Sequence, residues 1–358
     1  MKIPVGILGA TGMVGQRFIE ILDNHPWFEI NILAASPRSA GLKYEEAIKE
    51  KNTLKKNISE KILNLTVLEV ESDAEKICEQ VSFVFSALDL DKEKIKEIEN
   101  NYASLGIPVV SNNSAHRWTP DIPMFIPEVN EEHTDLIPLQ QKNRGWKKGF
   151  IVVKPNCSIQ SYVPLLHALK DFEPEKAIVT TFQAISGAGK TFETWPEMID
   201  NVIPYIQGEE EKSEKEPLKV WGKIKNAEII PSSLPQISAN CIRVPVSDGH
   251  LVSVNVLFKK KASQEEIINA WKNFNNPILK YNLPLSPKPC INYFVEDNRP
   301  QTKLDRNLQN GMGISVGRLR KDNIFDWKFV SLSHNTIRGA AGGAVLTAEL
   351  LKAKGYLN

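Results

Sequence analysis

Residues 3–22 read IPVGILGATGMVGQRFIEIL, and a second β-rich run, FEINILAA, covers residues 28–35. The opening apolar stretch suits a buried parallel strand. Gly9, Gly12 and Gly15 punctuate the turn that follows, and Val14, Phe18, Ile21 and Leu22 then fall on one face of a helix. Strand, glycine turn, helix and strand make a βαβ unit. The spacing is GxxGxxG rather than GxGxxG. It still lets the chain turn tightly and brings backbone N–H groups and a helix N-terminus toward a pyrophosphate. After the second strand the chain reads Ala35-Ser36-Pro37-Arg38-Ser39. An NAD site places a carboxylate there for the ribose 2′-hydroxyl. A guanidinium flanked by two hydroxyls suits a 2′-phosphate, so the expected cofactor is NADP(H).

Working outward, VSFVFSA (81–87), the charged helical segment from Asp91 to Gly106 and IPVVSN (107–112) continue the alternation of strands and helices. That alternation argues a Rossmann-like, doubly wound parallel sheet in an α/β protein. The character changes near residue 150. GFIVVKPN (149–156) ends in a Pro-Asn turn, and residues 157–172 read as a helix despite Pro164. Longer β segments follow at 176–186, 250–261, 311–321 and 325–333, with a helical pattern at 263–274. The expectation is a second, α+β domain over 156–334. The nucleotide domain would take residues 1–155, with a C-terminal helix, 335–358, returning to it. The 358 residues suit two domains.

Composition narrows the function. Lys+Arg 44 against Asp+Glu 43 gives a formal charge of +1, too small a field to hold nucleic acid or an anionic membrane. Four scattered cysteines form no disulfide scaffold, and no CxxC or His-rich spacing suggests a metal. No apolar run is long enough to span a bilayer. The start, MKIPVGILGATGMVG, lacks the apolar core and cleavage site of a signal peptide, so the expected compartment is the reducing cytoplasm. The charged run from Gly208 to Glu216 reads as a solvated helical face.

Two further motifs concern chemistry. Ser186-Gly-Ala-Gly-Lys-Thr191 imitates the end of a phosphate-binding P-loop, but GxxxxGK[ST] demands glycine at 184, where the chain has Ala184. A Ser-Gly-x-Gly turn facing the nicotinamide or ribose fits better. Cys157, in Pro155-Asn-Cys-Ser158, stands between a strand end and a helix start, where the helix dipole favours a thiolate. A lone cysteine is ordinarily a small buried hydrophobe. Here Arg243-Val-Pro-Val-Ser-Asp-Gly-His250 supplies a histidine just before a strand, the usual partner in thiol catalysis.

The glycine motif, Ser111-Asn-Asn-Ser-Ala-His-Arg117, Pro155-Asn-Cys-Ser158, Gln183-Ala-Ile-Ser-Gly-Ala-Gly189, Arg243-x6-His250 and Asn335-Thr-Ile-Arg-Gly-Ala-Ala-Gly342 occur in one order along the chain. Together, from about residue 3 to 356, they resemble the aspartate-semialdehyde dehydrogenases. The Gly208–Lys212 and Arg144–Ile151 stretches resemble the archaeal and fungal branch. The resemblance implies that Cys157 attacks the acyl phosphate of aspartyl phosphate, with His250 as general acid/base and Gln183 orienting the acyl group. Arg243 would grip the substrate carboxylate and Glu209 the amine, with Glu210 a neighbouring alternative. Lys212, Arg117 and Asn156 would hold the phosphate. NADP would contact Gly9, Thr11, Gly12, Met13, Val14, Ser36, Arg38, Ser39, Ser86, Ser186, Gly187 and Asn335. The resemblance also implies a homodimer or homotetramer, built through the catalytic-domain sheet, with 312–334 apolar enough to contribute. A malonyl-CoA reductase shares the scaffold and thiol chemistry. N-acetyl-γ-glutamyl-phosphate reductases expect Gly-Cys rather than Asn156-Cys157. A binding-only regulator on this fold would have no need of Cys157, Gln183, Arg243 and His250 together.

Overall fold

The computed structural model describes residues 2–358. Its first sheet contains β1 (Ile3–Leu8), β2 (Phe28–Ala35), β3 (Leu68–Glu69), β4 (Phe83–Ser86), β5 (Val109–Ser111) and β6 (Ile151–Val153). Their order is β3-β2-β1-β4-β5-β6, and every neighbouring pair is parallel. This is the expected doubly wound, Rossmann-like sheet. The strand order reverses between β1 and β4, and the crevice outside the carboxyl ends at such a reversal is where these sheets take ligands. Helices cover both faces, which is why β4, β5 and β6 read as unbroken apolar runs. One core joins Val5, Phe28, Phe83 and Phe85 to Phe18 of α1 (Met13–Leu22) and to Ala344, Val345 and Ala348 of the last helix. The C-terminal segment therefore does return to the first sheet.

The three glycines after β1 do three different things. Gly9 has φ +82°, and a Cβ there would lie 2.2 Å from the Ala87 carbonyl oxygen. A Cβ on Gly15 would lie 2.2 Å from the Gly9 oxygen, so α1 can sit close to its strand only without a side chain. Gly12 meets nothing nearer than the Gly9 oxygen at 3.6 Å and is exposed. It forms an open floor.

The second sheet is mixed, as an α+β domain requires. It holds β7 (Pro174–Gln183), β10 (Gln236–Arg243), β11 (His250–Phe258), β12 (Ile291–Tyr293), β13 (Ile314–Lys321) and β14 (Trp327–Ser333), in the order β10-β7-β11-β14-β13-β12. A separate hairpin, β8 (Lys223–Lys225) with β9 (Glu228–Ile230), stands apart from it. On one face, Trp271 of the helix Gln264–Lys272 packs edge-on against Phe329 at 5.1 Å. The other face carries Ile178, 37% exposed, with half-buried Phe182, Leu251 and Val330.

Three expectations need correction. Residues 157–172 are not one helix: a 3₁₀ turn (Ser158–Ser161) gives way at Tyr162, φ −129°, to a six-residue helix, Val163–Ala168. Pro164 fits there because it falls in the first turn, where its missing N–H costs nothing. The C-terminal helix does not run 335–358. A π-helical turn (Ile337–Ala341) precedes the α-helix Gly342–Ala353. The glutamate-rich run does form a helix, Glu209–Val220, but not a solvated one. Glu209, Ser213 and Glu216 are buried along one face.

Candidate active site

Three strand ends deliver the site. Gln183 closes β7, Arg243 closes β10 directly beside it in register, and His250 opens β11. Cys157 follows β6 and caps the Ser158–Ser161 turn. Its Sγ lies 3.3 Å from His250 Nε2. Two glycines keep this pair close. A Cβ on Gly339 would come within 2.8 Å of Cys157 Cβ, and one on Gly187 within 2.8 Å of Arg243 Nη1 and 3.1 Å of His250 Cε1.

Burial sets the protonation of the pair. It pushes the Cys157 thiol up, helped by Glu209, while Lys154, Arg117 and Arg243 pull the other way. Burial, and then the Arg243 charge, lowers His250 to about 3. The resting pair is a neutral thiol beside a neutral imidazole. The helix dipole expected to favour the thiolate is weak here, because only a short 3₁₀ turn starts at Cys157. The Ala184 N–H donates to His250 Nδ1 at 3.1 Å, so the neutral ring carries its proton on Nε2, aimed at the sulfur.

Glu209 is the glutamate that faces the site. Its carboxylate accepts from Asn156 Nδ2 at 2.9 Å, Gln183 Nε2 at 3.2 Å and Lys212 Nζ at 2.7 Å. Burial alone would raise it, but the Lys212 charge and these donors outweigh that and hold it below the usual carboxylate range. Glu210 turns away and accepts the Cys241 N–H. Asn156 is a strut: its Oδ1 accepts from the Ser158 N–H and hydroxyl while its amide holds Glu209. Arg117 is 7% exposed and pairs with Glu216 at 2.9 Å. Arg243 differs from both cations. It is 5% exposed, donates to the Ala184 carbonyl at 2.7 Å, and forms no salt bridge among the described residues.

Two residues went unnoticed in the sequence. Glu216 accepts from Arg117 Nη1 and, at 2.5 Å, from the Asn156 N–H, so it ties the phosphate-type cation to the nucleophile turn. Its spacing from Glu209 and Ser213, on one helical face, was the available signal. Lys154, three residues before Cys157, is fully buried.

The crevice over the first sheet fits a dinucleotide. Gly9 and Gly12 form its turn and floor, with Met13 and Val14 half-buried at the start of α1 and Thr11 accepting from Lys51 Nζ at 3.1 Å. Ser36 and Arg38 are exposed at the end of β2, and Arg38 has no salt-bridge partner among the described residues. Ser39 is buried, and its N–H closes a turn onto the Ser36 carbonyl. Ser86 is buried too, its hydroxyl accepting from Asn113 Nδ2 at 2.9 Å. Between the two sheets, Asn335 donates to Ser186 Oγ at 2.9 Å and accepts the Gly249 N–H at 2.7 Å. That clasp fixes the Ser186–Gly187 turn against the approach to His250. No helix among the described residues is long and apolar enough to cross a membrane.

Comparison with known proteins places the whole chain in one family. A family model for the semialdehyde dehydrogenase NAD binding domain matches residues 4–137, and one for the semialdehyde dehydrogenase dimerisation domain matches 164–338. The aspartate-semialdehyde dehydrogenase of Archaeoglobus fulgidus is 44% identical over 98% of both chains. That of Aspergillus fumigatus is 41% identical over 99% of each. Among solved structures, aspartate semialdehyde dehydrogenase with NADP from Candida albicans superposes with a TM-score of 0.88, at 37% identity, over the full length of both chains.

Proposed function

The chain belongs to the semialdehyde dehydrogenase family, and from that premise we propose that it reduces L-aspartyl 4-phosphate to L-aspartate 4-semialdehyde, releasing phosphate, with NADPH as reductant. The product feeds lysine, threonine and methionine synthesis. The observation that carries the proposal is the 3.3 Å Cys157–His250 pair beside a buried arginine with no carboxylate partner among the described residues. Arg243 offers the substrate carboxylate a bidentate fork that no protein acid has taken. Glu209 meets the substrate amine, which replaces donors it now has from Asn156, Gln183 and Lys212. Lys212 and Arg117 face the phosphate, each already oriented by a glutamate.

Cys157 gives up its thiol proton to solvent and attacks the acyl carbon as the thiolate, which the His250 Nε2–H supports as a donor. The S–C bond forms, the C–O bond to phosphate breaks, and phosphate leaves on the side of the two cations. Gln183 orients the acyl group beside the thiol. NADPH, when bound, supplies the hydride that reduces the acyl group. Its residues here are Gly9, Thr11, Gly12, Met13, Val14, Ser36, Arg38 and Ser39, with Ser86, Ser186, Gly187 and Asn335 toward the nicotinamide end. As the thiohemiacetal anion collapses, its C=O bond re-forms and the C–S bond breaks, and the His250 Nε2–H donates a hydrogen bond to the sulfur as it leaves as a thiolate.

The fold divides into a nucleotide domain, residues 1–155 with 335–358, and a catalytic and dimerisation domain, 156–334. The half-exposed face of the second sheet, with Ile178, Phe182, Leu251 and Val330, is the surface through which two copies associate as a homodimer, or as the halves of a tetramer. The enzyme works in the cytoplasm. NADPH oxidation assayed separately with aspartyl phosphate and malonyl-CoA tests the reaction. Turnover with the acyl phosphate alone is expected. Turnover with malonyl-CoA alone would replace the substrate, and turnover with neither would leave a binding-only protein.

A further inference from the structure

Lys154 is the one buried amine beside the nucleophile turn that this mechanism leaves without a task. It is 1% exposed, and its Nζ donates to the Pro155 carbonyl at 2.5 Å. No other hydrogen bond and no salt bridge of this amine is found among the described residues. An ammonium has three donors, and burial of one that makes a single protein hydrogen bond disfavours the charged form. The amine cannot swing away to find further partners. A Cβ on Gly343 would lie 3.0 Å from Lys154 Cε and 3.4 Å from Cδ, so the last helix clamps its stem.

The charges around it are specific. Arg117 and Arg338 oppose its ammonium, while Cys157 and Glu216 favour it. Arg338 pairs through Nη1 with Glu128 at 2.8 Å, and Arg117 with Glu216 at 2.9 Å. Burial first, then Arg117, lowers Lys154 to about 7. Its charge is therefore in balance at neutral pH, and a negative charge on Cys157 tips that balance. The sulfur is faced in turn by Glu209, Arg117, Arg243 and His250.

We propose that Lys154 is a positioning residue for the nucleophile: its bond to the Pro155 carbonyl pins the Pro155–Asn156–Cys157 turn, and its ammonium favours the Cys157 thiolate. Thiolate formation and Lys154 protonation then support each other, so the two groups titrate as a pair. His250, with its proton already on Nε2, supports the thiolate as a donor; Lys154 adds the positive charge. The inference rests on Cys157 being the nucleophile, which loss of turnover in Cys157→Ala tests separately.

The test is the rate of Cys157 carbamidomethylation by iodoacetamide between pH 6 and 9, followed on its peptide by mass spectrometry in the full-length protein. It needs neither substrate nor cofactor. Lys154→Met should slow alkylation by about tenfold or more at pH 6, the effect of removing a nearby opposite charge. The two curves should converge by pH 9, where the wild-type amine is also neutral. Lys154→Met that matches wild type throughout, or that is slower by one constant factor at every pH, overturns the proposal. The second result would leave Lys154 as a structural strut. Should that variant not fold, Lys154→Gln and the wild-type curve decide. Wild-type alkylation should follow two proton steps that persist in His250→Asn, and a single step overturns the proposal.

Discussion

The crevice above the first sheet and the pocket around Cys157 are built in opposite ways. The crevice is open: Gly12 leaves its floor bare, and Ser36 and Arg38 are exposed at its far end. The pocket is already paired. Glu209 is held by three side chains, Arg117 by Glu216 and Lys212 by Glu209. Open backbone suits a large ligand that brings its own charges and is exchanged each cycle. Mutual pairing fixes charged groups before the substrate arrives, so little reorganisation remains for the reaction itself. Arg243 is the exception inside the pocket, and its vacancy is matched to the substrate carboxylate.

The largest effect should come from the pocket. Cys157→Ala should abolish turnover while NADPH affinity, measured by fluorescence titration, stays within a few-fold. Residual steady-state turnover in that variant would remove Cys157 as nucleophile. Next, Glu216→Gln keeps the shape of the anchor but removes its charge. Misplacing Arg117 and the Asn156 peptide should cost roughly 10²-fold in kcat/KM for the acyl phosphate. Steady-state kinetics equal to wild type would show that the pairing does not position the site.

The crevice should respond more selectively. Arg38→Ala should weaken NADPH by about 10- to 150-fold, the loss of a charge-assisted contact, and leave NADH almost unchanged. Equal losses with both cofactors would assign Arg38 to the fold or to another part of the nucleotide. The smallest effect is on stability. Burial lowers His116, His167 and His334 to about 4, and His250 to about 3. Between roughly pH 6.5 and 4 the unfolded chain binds protons that the folded chain refuses, so stability is full above that window and falls as pH falls through it. A Tm that holds steady from pH 7 to 4.5 would contradict this burial of neutral imidazoles.

The same contrast explains what could be read from sequence. Most of the first sheet was legible because its elements announce themselves locally, as an apolar strand, glycines at a turn and one apolar helical stripe; the two-residue edge strand β3 was too short to do so. The strand Gln236–Arg243 was not legible either, because QISANCIR sits at the sheet edge with its outward positions polar. Residues 157–172 looked like one helix because their composition is helical. The break at Tyr162 answers to packing, with its hydroxyl bound to the Ser213 carbonyl at 2.6 Å. Cys157, His250, Gln183 and Arg243 could be named as a set, and the structure brings all four together. What stayed hidden was their support. Glu216 lies 60 residues from Asn156 in sequence, and only the folded helix Glu209–Val220 brings its carboxylate beneath the nucleophile turn.

The most direct test of the account is the phosphate requirement of the reverse reaction. If Cys157 forms a thioester that phosphate must release, NADP-dependent oxidation of aspartate semialdehyde should need inorganic phosphate or an oxyanion mimic. CoA should not replace it. Arg117→Leu should raise the phosphate KM more than the aldehyde KM, because Arg117 faces the phosphate, while the loss of its pairing with Glu216 should lower kcat as well. Oxidation at full rate in phosphate-free buffer, or oxidation supported by CoA alone, would contradict both the pocket assignment and the proposed reaction.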